Sequence, residues 1–234
     1  MKNKQTQLFL LTIILTAIFN IASAQTRIGV TAGIDYSNVT IKNEIGEKDN
    51  TQSVPGIHLG ITADIPMVSN FFIQPGISYS RKGFKQATGG FFGSATNFNV
   101  NADYIEIPVL LLYKPQLIGG HLLLGAGPYI GFGTGGNWRS DSDIIVGGDM
   151  NIGKKGDVIF RNNAANGGSL ESYIYGRPVD YGANFLLGYE FLNKLFIQLN
   201  SQIGLANLQP RFEEAQSAGK LKNSTIGISL GYKF

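Results

Sequence analysis

Large apolar residues alternate with small or polar ones along most of this chain. Near its end, Ile226, Ile228, Leu230, Tyr232 and Phe234 alternate with Thr225, Gly227, Ser229, Gly231 and Lys233. A period of two puts one set on each face of a strand. The same pattern runs through Arg27–Thr40, Pro55–Met67, Phe71–Arg81, Asp103–Lys114, His121–Gly133, Tyr181–Phe191 and Leu195–Leu205. These segments are about as long as a tilted strand must be to cross a bilayer, roughly 9–11 residues.

The connections alternate in length. Short turns fall around 66–70, 115–119 and 193–194. Longer polar segments fall at 42–53, 85–99, about 134–177 and 209–223. An even number of strands joined in this way predicts an all-β fold, an eight-stranded antiparallel up-and-down transmembrane β-barrel. The longest connection contains two β-prone triplets, Ile144-Ile145-Val146 and Val158-Ile159-Phe160. Each is too short to span a membrane, so they suggest a hairpin inside the loop; ten wall strands are the alternative.

The two strand faces differ in kind. The polar face is rich in glycine, which suits a narrow interior. The apolar face carries Phe71, Tyr113, Tyr189, Phe191, Tyr232 and Phe234 towards the short-turn end, and Tyr36, Tyr79, Phe132 and Tyr181 towards the other. Two aromatic levels bracketing an aliphatic band are expected at the two membrane interfaces. The apolar face therefore meets lipid and the polar face lines the lumen.

Export fits the start of the chain. Lys2 and Lys4 precede an apolar run over 8–19, and Ala22-Ser23-Ala24 is a small-x-small cleavage site. Residues 1–24 are thus expected to be a signal peptide, and 25–234 the barrel domain. Losing Lys2 and Lys4, with no acid in the leader, lowers the formal charge from +3 to +1, which removes any argument for a nucleic-acid partner. With no cysteine there are no disulfides, thiolate metal sites or catalytic thiols.

Tyr104-Ile105-Glu106-Ile107-Pro108-Val109-Leu110-Leu111, Gly125-Ala126-Gly127-Pro128-Tyr129 and the closing Leu230-Gly231-Tyr232-Lys233-Phe234 resemble the outer-membrane β-barrel family of Bacteroidota, whose members are called porin-family or PorT-like proteins. The resemblance covers the expected mature chain. It implies the outer membrane of a Gram-negative cell, short turns in the periplasm and long loops outside. It also implies that the final aromatic is read by the barrel-assembly machinery. Its motifs are structural and say little about activity.

Strand parity points Arg27, Asp64, Lys114, Glu190 and Lys233 into the lumen at the short-turn end. Buried charges must pair, so these residues are expected to form one cluster. Leu110, Leu112, Leu123, Phe72 and Phe196 point inward beside them and are expected to close the floor. An interior this narrow is about filled by its own side chains.

Other candidate chemistry is thin. His58 and His121 lie at opposite ends of the barrel and cannot share a site. His58 with Asp35 and Ser80 is a conceivable catalytic group, but a polar lumen network is the expected reading. Asp141, Asp143, Asp149 and Asn151 form an oxygen-rich patch that could hold calcium, but their spacing does not match an EF-hand loop, and solvated loop side chains are the expected reading. Gly131-Phe132-Gly133-Thr134-Gly135-Gly136 formally matches a dinucleotide fingerprint, but no helix pattern follows it. No cofactor, metal or catalytic residue is expected.

The segment 134–177 offers Trp138, Tyr173 and Tyr175 as possible contacts for an extracellular ligand or envelope protein. The expected molecule is a monomeric, non-enzymatic barrel in outer-membrane lipid, with a structural or surface-interaction role. A narrow passive pore is the alternative, and a lipid- or peptide-modifying enzyme comes third.

Overall fold

The structure, a computed structural model, describes residues 26–43, 45–89, 95–146, 150–166, 169, 171–211 and 219–234. The expected signal segment, 1–24, lies outside the described residues. The strands are β1 (Arg27–Lys42), β2 (Val54–Val68), β3 (Phe71–Gly89), β4 (Ala95–Tyr113), β5 (Gln116–Leu117), β6 (Gly120–Val146), β7 (Met150–Phe160), β8 (Tyr173–Gly176), β9 (Val179–Phe191), β10 (Leu195–Gly204) and β11 (Lys220–Lys233).

Eight of them close a ring. Each pairs antiparallel with the next in the order β1, β2, β3, β4, β6, β9, β10, β11, and β11 returns to β1 from Gly29↔Lys233 to Lys42↔Lys220. Closure removes both sheet edges, so every wall strand has partners on both sides. Hydrocarbon demands this, because it cannot hydrogen-bond to backbone groups.

Burial follows the sequence parity. Ile34, Leu59 and Leu230 are 51%, 54% and 65% exposed on the outer face. Their neighbours Asp35, His58 and Ser229 are buried in the lumen. In water a continuous outer surface of this kind would be a severe aggregation liability; in lipid it is solvated. At the short-turn end the aromatic level is built from cross-strand and same-strand pairs. Phe71 stacks on Tyr113 at 4.7 Å, and Tyr189 meets Phe191 edge-on at 5.0 Å.

The other end departs from the expectation of loose loops. β3 and β4 continue upward to Gly89 and Ala95, through most of the segment 85–99. β6 runs on for 27 residues, to Val146. The polar segment 134–177 is therefore largely strand. β7 folds back antiparallel on the upper part of β6, and β8 adds to β7 in parallel. The two triplets do form the suggested hairpin, and the wall stays at eight strands because β7 and β8 stand outside the ring. A register shift between Asp103 and Tyr104 leaves Thr134 as a bulge in β6, at the level where wall becomes extension.

Candidate functional site: a layered lumen and an aromatic cap

At the short-turn end, periplasmic in barrels of this kind, five charged side chains from five strands or strand ends meet. Lys114 Nζ lies 3.0 Å from Asp64 Oδ2 and 2.5 Å from Glu190 Oε2. Lys233 Nζ donates to Asp64 Oδ1 at 2.7 Å, and Gln74 donates to the same oxygen at 2.7 Å. Arg27 reaches Glu190 at 3.4 Å with its own side chain 53% exposed, so it closes the cluster from the solvent side. Asp64 thus has two cations, and Lys114 two carboxylates. In this geometry each acid left without its base would be a buried charge, and the network stands or falls together.

The expected apolar floor lies beside it. Leu110, Leu112, Leu123, Leu186 and Phe196 form one buried cluster, and Phe72 packs against it partly exposed. Lys114 sits 5.3 Å from the Phe72 ring centre, and Lys233 5.3 Å from that of Phe196. Charge layer and floor are held to each other by these cation–π contacts.

Above the floor, three residues far apart in sequence align. His58 Nδ1 is 2.9 Å from Asp35 Oδ1, and His58 Nε2 is 2.7 Å from Ser229 Oγ. The hydroxyl partner of His58 is Ser229, not Ser80, although Ser80 is its register neighbour on β3. Asn200 also donates to Ser229 Oγ, at 2.6 Å. Two glycines make the space. A Cβ on Gly33 would strike the His58 ring and the carbonyl of Ile228, and one on Gly227 would strike Asp35 Oδ1. The second histidine, His121, sits opposite Glu190 at the short-turn end and takes no part.

The order carboxylate–imidazole–hydroxyl matches a hydrolytic triad, but the surroundings do not. Ser229 lies in a regular ladder, paired to Gly33 and Gln198, so its neighbouring backbone amides are spent on strand pairing. With those amides paired on both sides, Ser229 has no oxyanion hole built from its own strand. The adjoining cavity, lined by Thr31, His58, Ser78, Asn184, Gln202 and Thr225 among others, measures about 80 Å³. That is room for a handful of waters at roughly 10–15 Å³ each. It is well below the ~300 Å³ at which ligand pockets begin.

A second charge layer, missed by the sequence reading, lies higher. Lys82 Nζ is 2.5 Å from Glu106 Oε1 and 3.7 Å from Asp180 Oδ2. The closer contact is an ion pair without hydrogen-bond alignment. Gln202 donates to Glu106 at 3.0 Å, while Asn223 and Tyr129 donate to Asp180 at 2.9 and 3.2 Å. The Lys82 ammonium also faces the Tyr129 and Tyr104 rings at 4.8 and 5.3 Å. Its signal was available: Ser78, Ser80 and Lys82 share inward parity, as do Glu106 on β4 and Asp180 on β9.

The extracellular extension then closes the top. Phe84, Phe98, Tyr104, Trp138, Phe160 and Tyr175 belong to one buried cluster with aliphatic neighbours from β1, β6, β7 and β11. Trp138 lies 5.7 Å from Phe98, Tyr104 5.2 Å from Phe160, and Phe160 5.6 Å from Tyr175. This corrects the expectation for the loop contacts. Trp138 and Tyr175 are 0% and 1% exposed, and Tyr173 packs against the same cluster. They are core residues of the cap and not free anchors, because β6 to β8 fold into a sheet whose inner face must be covered. Of the loop acids, Asp141 accepts from Asn97 at 2.6 Å and Asp143 pairs with Lys154 at 4.0 Å, while Asp149 lies outside the described residues. Among the described residues no group of three or more metal-ligating side chains converges.

Three solved outer-membrane barrels illustrate the likeness. Ail, the attachment invasion locus protein of Yersinia pestis, is 12% identical, with 90% of this chain and 99% of that chain covered, at a TM-score of 0.41. OprG from Pseudomonas aeruginosa is 13% identical, with 89% and 95% covered, at 0.45. Neisserial surface protein A is 11% identical, with 88% and 97% covered, at 0.43. No sequence among the curated proteins matches. The family model for the outer membrane protein beta-barrel domain matches residues 22–209, most of the chain. With the closed ring and its lipid-facing belt, that match makes this chain an outer-membrane β-barrel, a member of the outer membrane protein beta-barrel domain family.

Proposed function

We propose that this protein is a closed, monomeric, non-enzymatic barrel that serves the envelope as a structural or surface-interaction element through its extracellular extension. The observation that carries the reading is closure at both ends. The charge layer and leucine-rich floor fill the periplasmic end, and the aromatic cluster packs the other, with a groove of about 510 Å³ left beside Tyr173 and Tyr175. The space between them holds only a few waters. Such a lumen favours a scaffold over a passive pore.

The motif resemblance to porin-family, PorT-like barrels of Bacteroidota supports this reading, since it rests on wall and turn residues and on no site. Outer-membrane lipid is the solvent of the belt, and the barrel-assembly machinery is its partner during biogenesis. With Trp138 and Tyr175 buried, a contact with an extracellular ligand or envelope protein falls to the outer surface of the extension.

Planar-bilayer recording tests the closure. The purified protein should insert without steady conductance. Steady, ion-selective currents from the wild-type protein would overturn the closed-lumen reading and favour the pore.

A further inference from the structure

The charges sealed inside this barrel do not balance. Among the described residues five carboxylates and three ammonium groups are buried, and Arg27 adds a fourth base from the solvent side. The periplasmic layer holds three of these four bases against two acids. The deficit therefore lies above the floor, where Asp35, Glu106 and Asp180 are left with the single ammonium of Lys82.

His58 does not make up the difference. Ser229 accepts from Asn200 at 2.6 Å, which leaves its own proton for His58 Nε2 and the Nδ1 proton for Asp35. That is the bonding of a neutral imidazole. A carboxylic proton fits no better. Asp35 Oδ1 faces the His58 N–H, Glu106 Oε2 accepts from Gln202, and Asp180 Oδ2 accepts from Asn223 and Tyr129. A proton on one of these oxygens would meet another proton, and one on the buried Asp180 Oδ1 would have no acceptor among the described residues. A buried charge without a counter-charge is costly, so the lumen calls for a cation.

The cavity above the floor offers the ligands. Asn184 Oδ1 and Thr225 Oγ1 are buried without a hydrogen-bond partner, on residues 7% and 8% exposed. Gln202 stands between them, in register with Asn184 on one side and Thr225 on the other, and donates to Glu106 at 3.0 Å. Asn184, Thr225, Glu106 and Asp35 all line the cavity of about 80 Å³. Orphaned carbonyl and hydroxyl oxygens in a negatively charged space select a hard cation over an anion or an apolar guest. Water would satisfy the oxygens but leave the charge. A divalent ion would overshoot it, and among the described residues no three acids or histidines converge to chelate one. The volume holds one small ion and the few waters that complete its shell.

We infer that the lumen cavity binds one monovalent alkali cation, sodium or potassium, through Asn184 Oδ1, Thr225 Oγ1 and the carboxylates of Glu106 and Asp35. The ion restores neutrality to the sealed space and ties β1, β4, β9 and β11 to one centre. The charge argument rests on the closed lumen proposed above.

The test uses the full folded protein, crystallised from detergent in rubidium chloride, with rubidium standing in for potassium because of its anomalous signal. A peak should appear in the cavity beside Asn184 and Thr225. In parallel, protein folded in radioactive sodium or in rubidium is desalted, and about one ion per barrel should remain, as charge balance requires. Asn184→Leu with Thr225→Val should lower retention about 10- to 100-fold. Glu106→Gln, which removes the surplus charge, should lower it likewise. Asp103→Asn, whose partner Arg81 has outward parity, should leave it intact.

Folding is followed by heat-modifiable gel mobility. Should the double variant not fold, Thr225→Val alone carries the comparison. Retention of neither ion, with no anomalous peak in the cavity, overturns the inference. So does binding undiminished in the cavity variants, which would make the ion an adventitious one. The anomalous map is read independently of conductance. A conducting barrel with the peak keeps the site and loses the closed lumen, and a silent barrel without peak or retained ion does the reverse.

Discussion

Lys82 and Glu106 meet at 2.5 Å in the upper lumen, 1% and 3% exposed at their side chains, with Asp180 3.7 Å from the same ammonium. One cation holds two carboxylates in a space sealed by the cap. Lys82→Met should therefore destabilise the barrel by about 3–5 kcal/mol, because two acids are left without their base. Combining it with Glu106→Gln should recover part of that loss. Urea unfolding in detergent micelles, followed by heat-modifiable mobility, measures both. A near-neutral single variant would mean that the pair contributes nothing.

Trp138 is the sole tryptophan of the chain, which makes it a direct reporter on the cap. It is fully buried, and its Nε1 donates to the Glu171 carbonyl at 2.8 Å. Its emission should be blue-shifted and poorly quenched by iodide. Trp138→Ala should loosen the extension by about 3–5 kcal/mol, seen as protease cleavage within 137–177, while the wall stays folded. Red-shifted, freely quenched emission would return Trp138 to the role of an exposed contact.

Ser229 should be inert. A fluorophosphonate probe is expected to leave it unlabelled, since the hydroxyl already accepts from Asn200 and its own strand supplies no oxyanion hole. His58→Ala should still cost about 1–3 kcal/mol by leaving buried Asp35 without its hydrogen-bond partner. Covalent labelling lost in Ser229→Ala would establish a nucleophile there.

Depth along the wall should set the effect of a charge on the outer face. Leu59, in register with Ala32 and through it Leu230, lies within the aliphatic belt. Leu59→Arg should cost about 2–4 kcal/mol, whereas Thr40→Arg, on the same face as Tyr36 but beyond the belt and opposite Lys222, should cost about 0–1 kcal/mol. Equal costs at the two positions, by urea unfolding in lipid vesicles, would contradict the assigned height of the membrane.

Much of this was legible in the chain because a strand's parity is a local property. Arg27, Asp64, Lys114, Glu190 and Lys233 could be placed in one layer from inward parity and nearness to short turns alone. Lys82 and Asp180 escaped because they lie one residue beyond the strand limits read from the alternation. The cap escaped for a different reason. Register shifts between Arg139 and Ile144, and again between Ile144 and Ile145, break the period of two. A folded sheet then looks like a polar loop. The Ser229 partner of His58 was not legible at all, since it depends on β11 closing against β1, which sets His58 of β2 and Ser229 of β11 on either side of Gly33.

β6 contributes to both halves of the molecule without interruption. Its 27 residues trace about 90 Å at ~3.3 Å per residue, roughly three times the hydrocarbon thickness. The Thr134 bulge bends it at the rim without interrupting it, and its pairing with β4 continues past the bulge to Arg139, so inner and outer parts share one ladder. A pull or a docking event outside the cell would be felt as tilt of the entire body in its bilayer. Mechanically, the molecule behaves as one stiff post.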